Sequence, residues 1–355
     1  GHSVGIARTL GRLEPMLNMA DGLARLGELA TSPVVARLAD AFAAAGFELA
    51  VVGGPVRDAL LGRKTNDLDF ATNAHPDDIV RIVTPLSTAQ WDIGRAFGTI
   101  DARVLGEQVE ITTYRADSYD GLTRKPVVAF GDALEGDLAR RDFTVNAMAL
   151  RVPGPALVDP TGGVDDLVAA RLRTPIDPDV SFGDDPLRML RAARFAAQLS
   201  FDVEAETVAA MERLRDTLSI VSPERVQAEL VRLLSTDDPV RGLRLLVDTG
   251  LMELFLPEVP ALRLEVDEHH HHKDVYEHSL TVLRQAIALE KVRFADAAPD
   301  VTLRLAALLH DIGKPATRKL EPGGGVTFHH HDLKGARLAR KRMKALRFDS
   351  ATTDA

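Results

Sequence analysis

The 355-residue sequence contains no cysteine, which excludes a disulfide framework and a thiolate zinc site and leaves carboxylate and imidazole as the metal-binding groups. That absence fits a reducing cytoplasm, where the protein is expected to act. No apolar run approaches the ~20 residues of a membrane-spanning helix, so no membrane partner is expected. Gly1-His2-Ser3 reads as a cloning remnant, not a signal peptide. An overall basic charge is also missing: the formal net charge is −9, which argues against indiscriminate binding of polyanions. No internal repeat is visible. What the chain does hold is 45% hydrophobic residues, with length for two or three globular domains.

Charge is locally uneven. Arg188, Arg191 and Arg194 recur every third residue, and Lys334, Arg337, Arg340, Lys341, Arg342, Lys344 and Arg347 crowd the last segment. These clusters fit either solvated helix faces or surfaces for a polyanion, and composition does not choose between them. The first stretch, to about Phe47, is rich in Ala and Leu at helical spacing, with Ser32-Pro33 as a helix start. Leu49 to Val52 reads as a strand ending at Gly53-Gly54, and strands are expected around Leu68 to Phe70, Ile100 to Val104 and Val109 to Thr113. After Pro160 the pattern turns helical, over Pro186 to Leu199, Ala205 to Leu218, Pro223 to Leu234 and Val240 to Leu246. Nine of the eleven histidines lie between His269 and His331, and Pro322 to Gly325 reads as a turn.

The most informative stretch places Gly53-Gly54-Pro55-Val56-Arg57 before Asn66-Asp67-Leu68-Asp69-Phe70. Residues two apart on a strand share a face, so Asp67 and Asp69 can grip one cation while Leu68 and Phe70 face the core. Hard carboxylate oxygens suit Mg²⁺, which also takes substrate phosphate oxygens and assists phosphoryl transfer. The paired glycines let backbone N–H groups approach a phosphate at a helix N-terminus, with Arg57 one turn further on. Glu110, on a strand beside Thr112 and Thr113, is a candidate third carboxylate or an ordinary exposed strand glutamate.

The order GGPVRDALLGRKTNDLDFAT, VEITTYR, DGLTRKPVVAF, RRDFTVNAMAL, DDPLRMLRAARFAAQL and SPERVQAEL resembles the class II tRNA nucleotidyltransferases and bacterial poly(A) polymerases over about residues 45 to 235. The resemblance implies an α+β chain: a polymerase-β-like nucleotidyltransferase head with a mixed β-sheet, an all-α neck and body, and a helical HD domain. It implies that Arg140, Arg141, Asp142 and Asn146 contact ribose and phosphates, and that the Asp120 to Pro126 loop organises the site between additions. Asp185 and Arg188, three apart on a helix that Pro186 can start, would share a face. Cytosine and adenine both present an amino donor beside a ring-nitrogen acceptor, which a carboxylate and a guanidinium match. Uracil and guanine invert both groups, leaving desolvated atoms unpaired at roughly 1 to 3 kcal/mol each. An intrahelical salt bridge is the plainer alternative. By resemblance the pair selects CTP and ATP, and Arg191 serves the triphosphate or stacks on the base. Glu224 and Arg225 read as an ion pair or a substrate contact.

His278, followed 32 residues on by His310-Asp311-Ile312-Gly313-Lys314, resembles the HD phosphohydrolases. Imidazole and carboxylate together suit Mn²⁺, Ni²⁺, Fe²⁺ or Zn²⁺, with His331 a further candidate ligand. The run His269 to His272 is internal and does not read as a tag. The chain stops 24 residues past His331, and it is expected to lack the end of the HD domain and any following tail. The expected division is a helical segment over 1–32, the head over 33–160, a nucleotide-selecting and RNA-binding body over 161–256 and the HD domain over 257–355. The function expected is template-independent CCA addition, with the tRNA 3′ end and acceptor stem as partner and no protein partner inferred. A poly(A) polymerase of the same family, or an HD-type phosphohydrolase with an RNA-docking head, are the alternatives.

Overall fold

The computed structural model describes residues 17–91, 94–115, 133–263 and 274–355. The Asp120 to Pro126 loop, the His269 to His272 run and residues 1–3 lie outside these. Contacts divide the chain into two compact units, residues 1–176 and 177–355.

The first unit holds helices α1 (Met19–Thr31), α2 (Pro33–Ala44), α3 (Gly54–Leu61), α4 (Pro76–Val83), α5 (Ala133–Ala139) and α6 (Gly163–Val168). Among the described residues, its strands of three or more residues are β1 (Leu49–Val52), β2 (Leu68–Thr72), β3 (Ser87–Trp91), β4 (Thr99–Val104), β5 (Glu107–Thr113), β6 (Ala149–Val152) and β7 (Ala156–Val158). They form one mixed sheet in the order β3-β4-β5-β2-β1-β6-β7. Only β2 and β5 run parallel; the other neighbours are antiparallel. Pleating sorts the side chains. Val51, Phe70, Ile100 and Ile111 are buried on one face with Leu38, Phe42 and Ile79 in the core, whereas Ala50, Val52 and Ala71 meet Leu134 and Leu138 of α5 on the other.

Pro33 opens α2 with Ser32 at its N-cap, and Arg25 of α1 donates to the Ala59 and Leu60 carbonyls at the end of α3. These bonds tie the N-terminal helix to the last turn of α3. The unit runs past the change of pattern at Pro160 because fully buried Asp166 on α6 accepts from Thr144 Oγ1 at 2.5 Å and from Arg171 and Arg173. Thr144 thus binds residues 163–173 to the RRDFTVN turn twice, through its hydroxyl to Asp166 and through its N–H to the Arg173 carbonyl.

The second unit is helical: α7 (Pro178–Asp184), α8 (Leu187–Leu199), α9 (Ala205–Leu214), α10 (Pro223–Leu234), α11 (Val240–Asp248), α12 (Val275–Arg293), α13 (Val301–Leu309), α14 (Lys314–Thr317), α15 (His331–Ala345) and α16 (Ser350–Asp354). The expected helix over 205–218 stops at Leu214 and continues as a 3₁₀ segment over Arg215–Ile220. Asp300 caps α13 through the Leu303 N–H, and Ser222 caps α10 through the Arg225 N–H. Among the described residues, no helix is long and apolar enough to cross a membrane.

Candidate functional site

The head centre begins where β1 ends. Gly53 has φ +75°, a conformation L side chains rarely adopt, and a Cβ there would lie 3.0 Å from Arg141 Nη1. Glycine is therefore needed both for the turn and for the approach of the arginine. Gly54 and Pro55 then start α3.

Register builds the acidic row. Asp69 of β2 pairs with Glu110 of β5, and Glu110 pairs with Asp101 of β4, so three carboxylates stand side by side on the face that carries Ala71. Asp67 lies just ahead of β2, exposed, and its charge acts on both Asp69 and Glu110. Partial removal from water raises the carboxyl pKa of Asp69, Glu110 and Asp101. Repulsion from the neighbouring acids adds to this for Asp69 and Glu110, and Arg141 opposes it. Such a cluster of oxygen donors carries negative charge that one guanidinium does not balance, which fits a hard divalent cation. Asp101 was not foreseen from sequence; the signal would have been its alternation with buried Ile100 and Ala102, aligned opposite Glu110.

Behind this row lies a buried network. Arg57, only 4% exposed, donates to Asn146 Oδ1 at 2.5 Å and to Asp58; Asn146 Nδ2 donates to Asp142 Oδ1 at 3.1 Å, which also accepts the Phe143 N–H. Arg57, Asp142 and Asn146 are thus brought together in a buried network that fixes the turn carrying Arg141. Arg141 Nε is buried without a hydrogen-bond partner, and its other end lies 3.8 Å from Asp137. Arg140 donates weakly to the Arg115 carbonyl.

In the second unit, Asp185 sits in extended backbone between α7 and α8. Its Oδ1 accepts the Leu187 N–H at 3.1 Å, capping α8, and its Oδ2 accepts from Arg225 at 2.9 Å. Arg188 donates to the Ser181 carbonyl and hydroxyl. Of Glu224 and Arg225, read from sequence as an ion pair or a substrate contact, Arg225 pairs with Asp185 and Glu224 faces Arg347 at 3.7 Å. Glu229, buried on α10, holds Arg194 at 2.8 Å and Arg191 at 3.6 Å, and both guanidinium groups lie over the Phe195 ring. No periodicity rule links Glu229 to these arginines, because the contact crosses from one helix to another.

The other centre of this unit gathers ligands from separate helices. One ligand atom each from His278 on α12, His310 and Asp311 lie within 4.8 Å of one another. His310 Nε2 is 3.1 Å and His278 Nε2 3.9 Å from Asp311 Oδ2, while His331 Nε2 stands 3.6 Å from Oδ1. The Nδ1 atoms of His310 and His331 are held by the Ala307 and Phe328 carbonyls, which aims both Nε2 atoms inward. A Cβ on Gly313 would lie 2.0 Å from the His331 carbonyl; only glycine lets the HDIG turn approach α15 closely enough. Burial opposes ionisation of Asp311, but His310 and Lys314 outweigh it and hold the carboxyl below its ordinary range. The bond to Asp311 raises His310. Asp311 Oδ2 is buried without a well-directed hydrogen bond, though Lys314 Nζ stands 3.3 Å away beside the imidazoles, and the imidazole–carboxylate set fits a divalent metal.

A mixed-sheet, polymerase-β-like head with an acidic row, followed by a helical body and an HD-type cluster, defines a nucleotidyltransferase architecture. Family models agree segment by segment: the Poly A polymerase head domain matches residues 49–173, the probable RNA and SrmB-binding site of polymerase A residues 200–262, and the HD domain residues 275–354. The chain is similar to the CCA-adding enzyme of Bacillus pumilus, 40% identical over 61% of this chain and 52% of that one. It is also similar to the A-adding tRNA nucleotidyltransferase of Deinococcus radiodurans, 37% identical over 85% of this chain and 65% of that one. A solved tRNA nucleotidyltransferase, complexed with a primer tRNA and an incoming ATP analog, superposes with TM-score 0.62 and 26% identity over 77% of this chain and 75% of that one. The chain spans about half the length of most of these curated relatives. The chain thus carries a Poly A polymerase head domain, a segment matching the probable RNA-binding site of polymerase A, and an HD domain.

Proposed function

We propose that the protein is a cytoplasmic CCA-adding tRNA nucleotidyltransferase: the 3′-hydroxyl of tRNA attacks the α-phosphate of CTP or ATP, and pyrophosphate leaves. The row of Asp69 and Glu110 with Asp67 beside it, on the sheet face next to the Gly53 turn, carries this reading. Asp67 and Asp69 would hold Mg²⁺, with Glu110 as the third carboxylate; when bound, the ion activates the attacking hydroxyl and offsets charge on the leaving group. The Gly54 backbone N–H at the start of α3 and the Arg141 guanidinium bind the triphosphate. Arg57, Asp142 and Asn146 fix the turn that presents Arg141. Arg140 joins the phosphate contacts, and Asp185 and Arg188 read the amino donor and ring acceptor shared by cytosine and adenine, with Arg225 and Ser181 holding them ready. Arg191 serves the base or triphosphate. His278, His310, Asp311 and His331 are proposed to hold a transition metal of the Mn²⁺, Ni²⁺, Fe²⁺ or Zn²⁺ group. The division at 32, 160 and 256 is proposed with these roles.

Incubation of a tRNA lacking its CCA end with CTP, ATP or both, with and without Mg²⁺, tests the proposal. The expected result is Mg²⁺-dependent incorporation of both nucleotides that stops after CCA. The D. radiodurans relative supports a second reading, addition of A alone; incorporation confined to ATP on tRNA ending in CC would select it. Untemplated ATP runs on unrelated RNA would replace both with a poly(A) polymerase.

A further inference from the structure

Residues 331–347 contain seven lysines and arginines and one acid, in a chain of net charge −9. Most of α15 is exposed, and the structure sorts these bases into two sets. Arg342 pairs with Glu258, Arg340 with Asp354 and Arg347 with Glu224. Lys334, Arg337, Lys341 and Lys344, spaced i, i+3, i+7 and i+10, fall on one stripe of the helix about 15 Å long. All four are exposed, and none has an acidic partner within 4 Å among the described residues. The opposite side of α15 is different: Gly335, Ala336, Ala339 and Met343 line a cavity with Leu305 and Leu309.

A solvated helix face ordinarily interleaves acids and bases, since like charges three and four residues apart repel. Elsewhere in this unit arginines are met by acids from other elements: Arg213 by Asp179, Arg241 by Asp202, Arg244 by Glu277 and Arg284 by Asp238. The stripe keeps its repulsion unrelieved, as a surface facing a regularly spaced polyanion does. We propose that the Lys334–Arg337–Lys341–Lys344 stripe is a docking surface for the phosphate backbone of the RNA substrate. The proposal rests on the RNA-modifying function above and extends it to a contact distant in sequence from every nucleotide-handling motif. Lysine and arginine contacts of this kind position an RNA without reading its bases.

The test uses the full chain with all four residues changed to Gln (Lys334→Gln, Arg337→Gln, Lys341→Gln, Lys344→Gln) and a second variant that exchanges Lys for Arg and Arg for Lys at the same positions. Binding of a tRNA lacking its CCA end is followed by fluorescence anisotropy across roughly 50 to 200 mM KCl. The Gln variant is expected to bind about tenfold or more weakly, with a plot of log K against log salt flatter by roughly 2 to 4. The exchange variant should match the parent, and kcat at saturating tRNA should be unchanged in both. Unaltered affinity and salt slope in the Gln variant, with nucleotide incorporation intact, overturns the docking surface and leaves the enzyme reading standing. Salt-dependent binding that the stripe controls, in a parent that incorporates no nucleotide, sinks the enzyme reading and keeps the surface. Loss of binding to anionic vesicles or an acidic peptide, without loss of tRNA binding, also overturns it.

Discussion

The two candidate metal centres solve the same problem, concentrating acidic or imidazole donors, in opposite ways. In the head, strand register lines up Asp69, Glu110 and Asp101; burial pushes all three carboxyls up, and repulsion from neighbouring acids adds to this for Asp69 and Glu110. In the helical unit, a single buried carboxylate, Asp311, is held down by His310 and Lys314. The head row is electrostatically incomplete and calls for an external cation, whereas the HD-type centre is partly compensated by its own lysine and imidazoles. Donor chemistry follows: oxygen alone in one, nitrogen with oxygen in the other.

The sharpest way to break this contrast is Asp69→Asn. It should lower kcat for nucleotide addition by about 10³-fold, since charge stabilisation at such a site is worth several kcal/mol, while metal binding to the other centre is unchanged in an equilibrium titration. Equal loss at both would mean that they are not independent. Next in size, Gly313→Ala should drive His331 away from Asp311. A fall of ~1 to 3 kcal/mol in unfolding free energy is expected from the backbone clash, with metal affinity reduced roughly 10- to 100-fold through the displaced imidazole. Chemical denaturation and the same titration measure these effects.

Asp185→Ala should cost selectivity more than rate. Discrimination of CTP and ATP against UTP, read as a ratio of kcat/KM, should fall by about one to two orders of magnitude. Arg225→Ala should have a smaller effect, because it holds Asp185 without facing the base.

The smallest effect is in the pH dependence of stability, where the carboxyls of the two centres should pull in opposite directions. A carboxyl with a raised folded pKa makes the folded state the better proton binder, so the head row's unfavourable contribution grows as pH rises through the window above the unfolded carboxylate pKa. Asp311 is lowered, so its stabilisation is present above the unfolded carboxylate pKa and is lost as pH falls through the folded one. His310 is raised; its contribution is full below the unfolded histidine pKa and disappears as pH rises through the folded value. Melting curves of Asp69→Asn against the parent should therefore diverge from mildly acidic to neutral pH, with the variant a few degrees higher, and Mg²⁺ should close the gap by stabilising the parent.

Much of this was legible beforehand. Strands at 49–52, 68–72, 99–104 and 107–113 follow from apolar runs and alternation, and the helices from Leu187 onward from 3.6-residue spacing. Asp67, Asp69 and the HDIG residues are adjacent or nearly so in the chain, so the donor types showed themselves. The pairing of Arg225 with Asp185 was not legible, because the two lie forty residues apart and local pairing rules look only one helical turn along.

What the sequence determined by itself is therefore local: which residues form each element, which side chains share a strand or helix face, and which metals the donors suit. Tertiary structure alone decided that Asp101 completes the carboxylate row, that Arg141 lies against Gly53 and faces it, that Glu229 gathers Arg191 and Arg194, and that Arg57 points inward. Those outcomes depend on strand register and helix crossing, which are set by burying whole faces of the core at once and leave no mark at any single position.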